Sequence, residues 1–325
     1  MDNWNLITLL RKKINDQGGP VSCHAHFDKA YVITPETLEM ALEHMEVKWD
    51  LWKKVKEGYT HENLIKRMSL SAENMIRQGS SITRTNIDVD STVGMMCIEA
   101  ALEVKEKYKD QIEIQLCSQV LEGALDSKAQ KTIEKAAHYV DVLGGLPSRD
   151  RPYQAEHLDF IFGLARKLGK TVDVHIDQNN DPEEKDSELL ARKVIEHGLQ
   201  GRVNAVHACS LAAQEDDYMN EVIKLIKKAE MSVIVCPRAM LDNQQPRHKM
   251  APVHNSIAPV PQLVEAGVNV ALGVDNVHDY FCPFIDGDIF TELLFLIEAC
   301  RFYDVDNLVD IATVNGRKVL SLKTG

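Results

Sequence analysis

Two histidines one residue apart, His24 and His26, stand in the string VSCHAHFDKA at residues 21–30. Further along, His175 ends the apolar run TVDVHID (171–177), His207 ends RVNAVHA (202–208) and Asp275 ends NVALGVD (269–275). Imidazole nitrogens and a carboxylate suit a borderline divalent metal such as zinc or iron(II), and a site that keeps one position open for water is the catalytic type. One histidine at a strand end is ordinarily a satisfied polar residue. Five candidate ligands or catalytic groups at the ends of four separate runs, on the expected interior side of the pleat, point instead to a shared centre.

Groups so far apart in sequence converge only if the chain carries them to one end of a common scaffold. Eight β-rich runs are present, at 21–27, 81–88, 112–118, 139–145, 171–177, 202–208, 231–237 and 269–275. Between them lie blocks such as TVGMMCIEAALEVKEKYKD, whose apolar residues recur at three and four positions. Strict alternation implies parallel pairing through right-handed crossovers, and eight units close a (β/α)8 TIM barrel. Within the fifth run Val172, Val174 and Ile176 should face the helices, and Asp173, His175 and Asp177 the interior. Active sites of such barrels lie at the C-terminal strand ends, where these unusual residues fall.

The 325 residues, 44% hydrophobic and 26% charged, carry no linker-like or low-complexity stretch, so one domain over 1–325 is expected. A net charge of −12 without a basic stripe excludes a nucleic-acid backbone as partner. No signal-like start and no long apolar run are seen, which leads to the expectation of a cytoplasmic protein with no membrane partner. Seven cysteines, none in a C-x-x-C pair, read as reduced thiols.

The ordered strings HAHFDKA, RTNIDVDS, LGGLP, VDVHIDQ, VHACS and GVDNVHDYFCPFIDGD resemble the amidohydrolase superfamily, in its cytosine deaminase-like branch with the triazine-ring aminohydrolases. The resemblance covers nearly the whole chain. It implies that His24, His26, His175 and Asp275 bind one divalent metal, Zn2+ or Fe2+, and that YVDVLGGLP, which lacks the bridging lysine of two-metal branches, leaves the site mononuclear. It implies catalytic roles for His207, beside the attacking water, and for Asp275, which takes the proton. It places Gln119, Gln178, Asn276 and Lys29 against the substrate, with an ordinary ion pair to Asp28 as the alternative for Lys29. The implied reaction is hydrolytic deamination of a small nitrogen heterocycle, cytosine- or triazine-like.

Two departures accompany it. Cytosine deaminases carry a proton-shuttling glutamate where this chain has Gln178, and an amide cannot do that work; Asp177, Asp279 and Glu122 are the candidate substitutes. The small β-sandwich that flanks the barrel in this superfamily is expected to be missing, and with it comes an expectation of homo-oligomerisation or of a compensating N-terminal helix from NLITLLRKKI. Two alternatives therefore stay open: a cyclic amide or other C–N hydrolase with the same site, and a catalytically impaired metal-binding homologue. The long segment 237–259 is expected to be a functional loop, with Arg238, Arg247 and His248 toward an anionic group. Trp49 and Trp52 are expected to pack as one helix face, and Cys209 is not read as a nucleophile.

Overall fold

The structure, a computed structural model, describes residues 5–242, 249 and 257–320. Seven parallel strands form the wall: β1 (Ile82–Asp88), β2 (Glu113–Gln119), β3 (Leu143–Gly145), β4 (Val172–Ile176), β5 (Val203–His207), β6 (Ser232–Val235) and β7 (Asn269–Leu272). β1 pairs with β2, and β3 through β7 pair in sequence order. A parallel bridge from Cys117 to Val142 joins the two sheets. The eighth stave is residues 21–26, which bridge to Thr83 on one side and Asp275 on the other. The fold is a (β/α)8 TIM barrel.

The first run is thus a stave, as expected, without being a regular strand. Arg84 N donates to Ser22 O and Asn86 N to Ala25 O, so two residues of β1 are matched by three of this stave. On its other side Cys23 N donates to Leu272 O and Val274 N to His24 O, again one residue more than a regular ladder allows. This extra residue is a bulge, which changes the facing of everything after it. Ser22 Oγ occupies the gap, donating to His24 O and accepting from Val274 N. The fourth run is shorter than expected, because the side chain of Asp141 accepts from Leu116 N where a ladder bond would begin.

Close approach dictates two glycines. A Cβ on Gly144 would lie 1.7 Å from Ser118 O, and one on Gly273 would lie 2.7 Å from His24 Cβ. Around the wall, helices bury one apolar stripe each. In His61–Arg77, Leu64, Met68, Ala72 and Met75 are buried, and Thr60 accepts from Asn63 N at the start. The N-terminal helix Leu6–Asp16 buries Leu10 and Ile14 and leaves Leu6 and Ile7 exposed. No described helix is long and apolar enough to cross a membrane.

The barrel interior has two parts. At the base, Val21, Cys23, Val206, Ile234 and Ala271 pack against Val319 and Leu320 of the helix Val314–Leu320. Beside them lies a buried ion pair: Arg84 Nη1 donates to both oxygens of Asp173, at 2.9 and 2.8 Å, and Asn204 Nδ2 donates to Oδ1. Arg84 Nη2 and Gln115 Nε2 also donate to Val319 O and Leu320 O, tying the last helix to the wall. Removing one partner of a buried pair leaves an uncompensated charge, at a cost of about 3–5 kcal/mol. Asp173→Ala should lower the urea midpoint accordingly, and Arg84→Met combined with Asp173→Leu should recover most of the loss; an equal loss in both would contradict the pairing.

Candidate metal centre

The C-terminal strand ends bring five side chains together. His24 and His26 arrive from the first stave once the bulge has turned them inward. His175 lies on β4 at an interior position, opposite Val206 of β5 in the parallel register. Asp275 follows β7 in the left-handed region, φ +60°.

His207 arrives by a route that the pleat does not provide. Asn204 and Val206 face the interior, so His207, in register with Ile176, would turn outward in a continued strand. Left-handed φ values of +77° at His207 and +53° at Ala208 break the alternation and swing the imidazole in. The expected parity for this residue is therefore corrected. Residues held in such sparsely populated backbone regions cluster at functional sites.

The rings are close. His24 lies 4.7 Å from His175, 4.9 Å from His26 and 5.5 Å from His207 between centroids, and His175 lies 5.3 Å from His207. Asp275 Oδ1 sits 3.3 Å from His24 Nε2 and 3.2 Å from His26 Nε2, and Oδ2 sits 3.9 Å from His207 Nδ1. Among the described residues, His24 Nε2, both nitrogens of His175 and His207 Nδ1 are buried without an aligned hydrogen-bond partner. Buried polar atoms in native proteins are normally satisfied. Burial pushes His26 down to about 4, His207 down to about 3 and His175 well below the usual range. Burial alone would push Asp275 up, but His207, His24 and His26 hold it well below the ordinary carboxylate value. Neutral imidazoles with spare lone pairs around a carboxylate are the donor set that a borderline divalent cation takes. The residues fit such an ion.

Asn86 supports the set from behind, 2.8 Å from His24 Nδ1. The atom facing Nδ1 is Asn86 Nδ2, while Asn86 Oδ1 is buried without a partner among the described residues; the flipped amide, nearly identical in shape, would set Oδ1 against Nδ1–H and leave the Nε2 lone pair directed at the centre.

Four of the five, His26, His175, His207 and Asp275, line a solvent-open cavity with about 430 Å³ of empty space, and His24 is fully buried outside that lining. Gln119, Gln178, Asn276 and Lys29 also line it, so all four expected substrate-side residues meet here. Gln119 Oε1 is buried and unpartnered among the described residues. Asn276 Nδ2 donates to Asp279 Oδ2. Lys29 Nζ, expected to choose between the site and a pair with Asp28, lines the cavity while donating to Asp88 at 2.6 Å; Asp28 lies farther off, at 3.6 Å.

The three substitute carboxylates point elsewhere. Asp177, left-handed at φ +48°, accepts from Asp186 N and Ser187 N at the start of the helix Asp186–Glu196. Asp279 accepts from Phe281 N and Cys282 N as well as from Asn276. Glu122 accepts from Ser91 and Thr92 and lies 3.6 Å from Lys56. Among the described residues lining the cavity, Asp275 is the one carboxylate.

Some expectations are redirected. Arg238 pairs with Asp286 and does not line this cavity, whereas Ala239 and Met240 beside it do. Arg247 and His248 lie outside the described residues. Cys209 is fully buried and donates to Asp177 O. Trp52 packs on Phe281, as expected of a helix face, but Trp49 lines the cavity with Met45. The sequence signal for Trp49 was the spacing Met45, Trp49, Trp52, Lys56, one stripe of a helix; nothing local said that its upper end would reach the site. Asn86 was signalled by the alternation of Arg84, Asn86 and Asp88 in RTNID, three polar residues on the interior face of one strand.

The profile of the Amidohydrolase family matches residues 19–325. The chain belongs to the amidohydrolase family. It is 30% identical over 323 residues to N-isopropylammelide isopropyl amidohydrolase of Pseudomonas sp. strain ADP, covering 94% of this chain and 74% of that one. Against pterin deaminase of Rhizobium rhizogenes it is 28% identical, over 76% of this chain and 56% of that one. The crystal structure of 5-methylcytosine deaminase from Klebsiella pneumoniae, liganded with 5-fluorocytosine, superimposes with a TM-score of 0.86 at 25% identity, over 94% of this chain and 75% of that one. This amidohydrolase is accordingly a hydrolase of C–N bonds with a buried group of metal-ligating side chains.

A buried acid just outside the centre makes the fold pH-sensitive. Glu292 is fully buried, accepts from Arg238 N, and is pushed by burial up to about 8 from an ordinary 4.5. Between those values the folded chain holds a proton that the unfolded chain releases, so stability falls as pH rises through the window. Glu292→Gln should flatten the decline of the melting temperature between about pH 5 and 8; an unchanged slope would show that Glu292 is not its source.

Proposed function

We propose that this amidohydrolase removes an amino group from a small nitrogen heterocycle by hydrolysis, at one divalent metal, Zn2+ or Fe2+, held by His24, His26, His175 and Asp275. The observation that carries the reading is the convergence of these side chains, with unpartnered buried nitrogens, on a small cavity edged by amides. When bound, the ion supplies Lewis acidity and makes a water acidic enough to attack near neutral pH.

The chain's own residues do the rest. Asp275, a carboxylate in the working pH range, accepts the proton that the attacking water gives up. His207 is neutral there, so it acts as a hydrogen-bonding partner beside the reacting carbon and not as a standing cation. Gln119 Oε1 accepts from a ring N–H, and Gln178 and Asn276 read another ring edge with one donor and one acceptor each. Asp279 holds the Asn276 amide in one orientation, which sharpens that reading. Lys29 places a positive charge at the wall, suited to a ring carbonyl.

The sole lining carboxylate also bears on the departing nitrogen. With Gln178 in place of a glutamate and the three candidate substitutes turned away, the proton given to that nitrogen comes back from Asp275. This same feature favours the second reading, hydrolysis of a cyclic amide or another C–N bond at the same centre.

A panel of amino-pyrimidines, amino-triazines, pterins and cyclic amides should show ammonia release from at least one aminated ring. Ring opening without ammonia would select the second reading. Asp275→Asn should lower kcat by about 10²–10⁴-fold. His175→Ala should lose the ion as read by elemental analysis, and a full metal complement in that variant would refute the assigned ligands.

A further inference from the structure

The crossover from the first stave to β1 is unusually long and carries two helices, Met45–Glu57 and His61–Arg77. The first of these reaches the site. Met45 and Trp49 line the cavity together with three of the imidazoles, and Trp49 is only 5% exposed. Its indole is backed by the Arg149 guanidinium, 5.1 Å from the ring centroid, and Arg149 in turn lies 3.3 Å from Asp50.

The helix is fixed at both of its contacts with the barrel. Trp52 is fully buried and stacks on Phe281 with ring centroids 5.8 Å apart at 24°, in the loop that follows Asp275. Lys56, also buried, ion-pairs with Asp88 and Asp90 at the end of β1. A wall held in this way does not swing aside for a larger ligand. The polar groups of the cavity, Gln119, Gln178, Asn276 and Lys29, suit the edge of a planar ring, whereas Trp49 adds aromatic surface to the lining. Leu121, Leu146, Met240 and Phe281 complete the apolar part of the lining.

We propose that Trp49 is the specificity-determining residue of this amidohydrolase: its indole, fixed between Arg149 and the cavity, stacks on a single heteroaromatic ring and bars fused bicyclic rings. This rests on the functional reading above and narrows it to a monocyclic substrate. Stacking of a base on an aromatic side chain contributes on the order of tenfold or more in affinity, and a hydrophobic wall discriminates by size to a similar degree.

The test uses cytosine and ammelide as single-ring probes and pterin as the fused-ring probe, with the metal-loaded full chain and its Trp49→Phe and Trp49→Leu variants. Binding is read by calorimetry and by quenching of tryptophan fluorescence, turnover by ammonia release, and folding by melting temperature and metal content. Expected are binding of a single-ring probe with quenching that is lost in both variants, a KM about tenfold higher in Trp49→Leu and only slightly higher in Trp49→Phe, and about tenfold better relative use of pterin by Trp49→Leu. Pterin preferred by the unaltered chain, or a KM unchanged in a folded, metal-loaded Trp49→Leu, overturns the role of Trp49 while leaving the hydrolase reading intact. No binding and no turnover of any of the three rings by the unaltered chain overturns both.

Discussion

A pleated strand offers only every second side chain to a barrel interior, and neighbouring parallel strands offer theirs at matched heights. Five groups that must meet within a few ångströms cannot all be supplied under that rule. The chain departs from it at two places around one mouth: the extra residue at Cys23 and His24, and the left-handed His207. The bulge lets Cys23 serve the apolar base while His24, its immediate neighbour, serves the centre. Gly273 then has to be a glycine, because His24 occupies the space its side chain would fill.

Electrostatics sorts the carboxylates that crowd this end of the barrel. Asp177, Asp279 and Glu122 each satisfy backbone amides, hydroxyls or an amide side chain, and each is thereby turned into scaffolding. Asp88 and Asp90 are matched by Lys29 and Lys56. What is left facing the cavity is one carboxylate among neutral imidazoles, with one ammonium at the wall. The proposed preference for a cation at one end and a polar ring edge at the other rests on this division.

Much of this was legible in the sequence, because it is written in local patterns. Alternating apolar residues in TVDVHID mark a strand, and the periodic helical blocks between such runs fix the parallel barrel. His24, His26, His175 and Asp275 were visible as polar residues ending apolar runs. The bulge was not visible, since it shows only in the register against β1 and β7. Nor was the true partner of Lys29: Asp28 is adjacent in the chain, but Asp88 lies nearer in space. Trp49 was misjudged for a related reason. Helical spacing tells which residues share a stripe, and only the tertiary placement of the helix tells that one end of the stripe packs on Phe281 while the other opens on a cavity.

The helix Val314–Leu320, which closes the barrel base, has a kinetic meaning. Its Arg317 donates to Gly18 O, 299 positions away in the chain, and its Val319 and Leu320 pack on Val21 and Cys23. The stave that carries His24 and His26 is therefore clamped by residues made long after it. Contacts of such sequence separation form late, because a very long loop must close before they return any stabilisation. On a growing chain His175 and His207 can already stand side by side on β4 and β5, while His24 and His26 still belong to an unclosed edge. The five-group centre is thus a property of the finished ring, and its assembly reports that the barrel has closed.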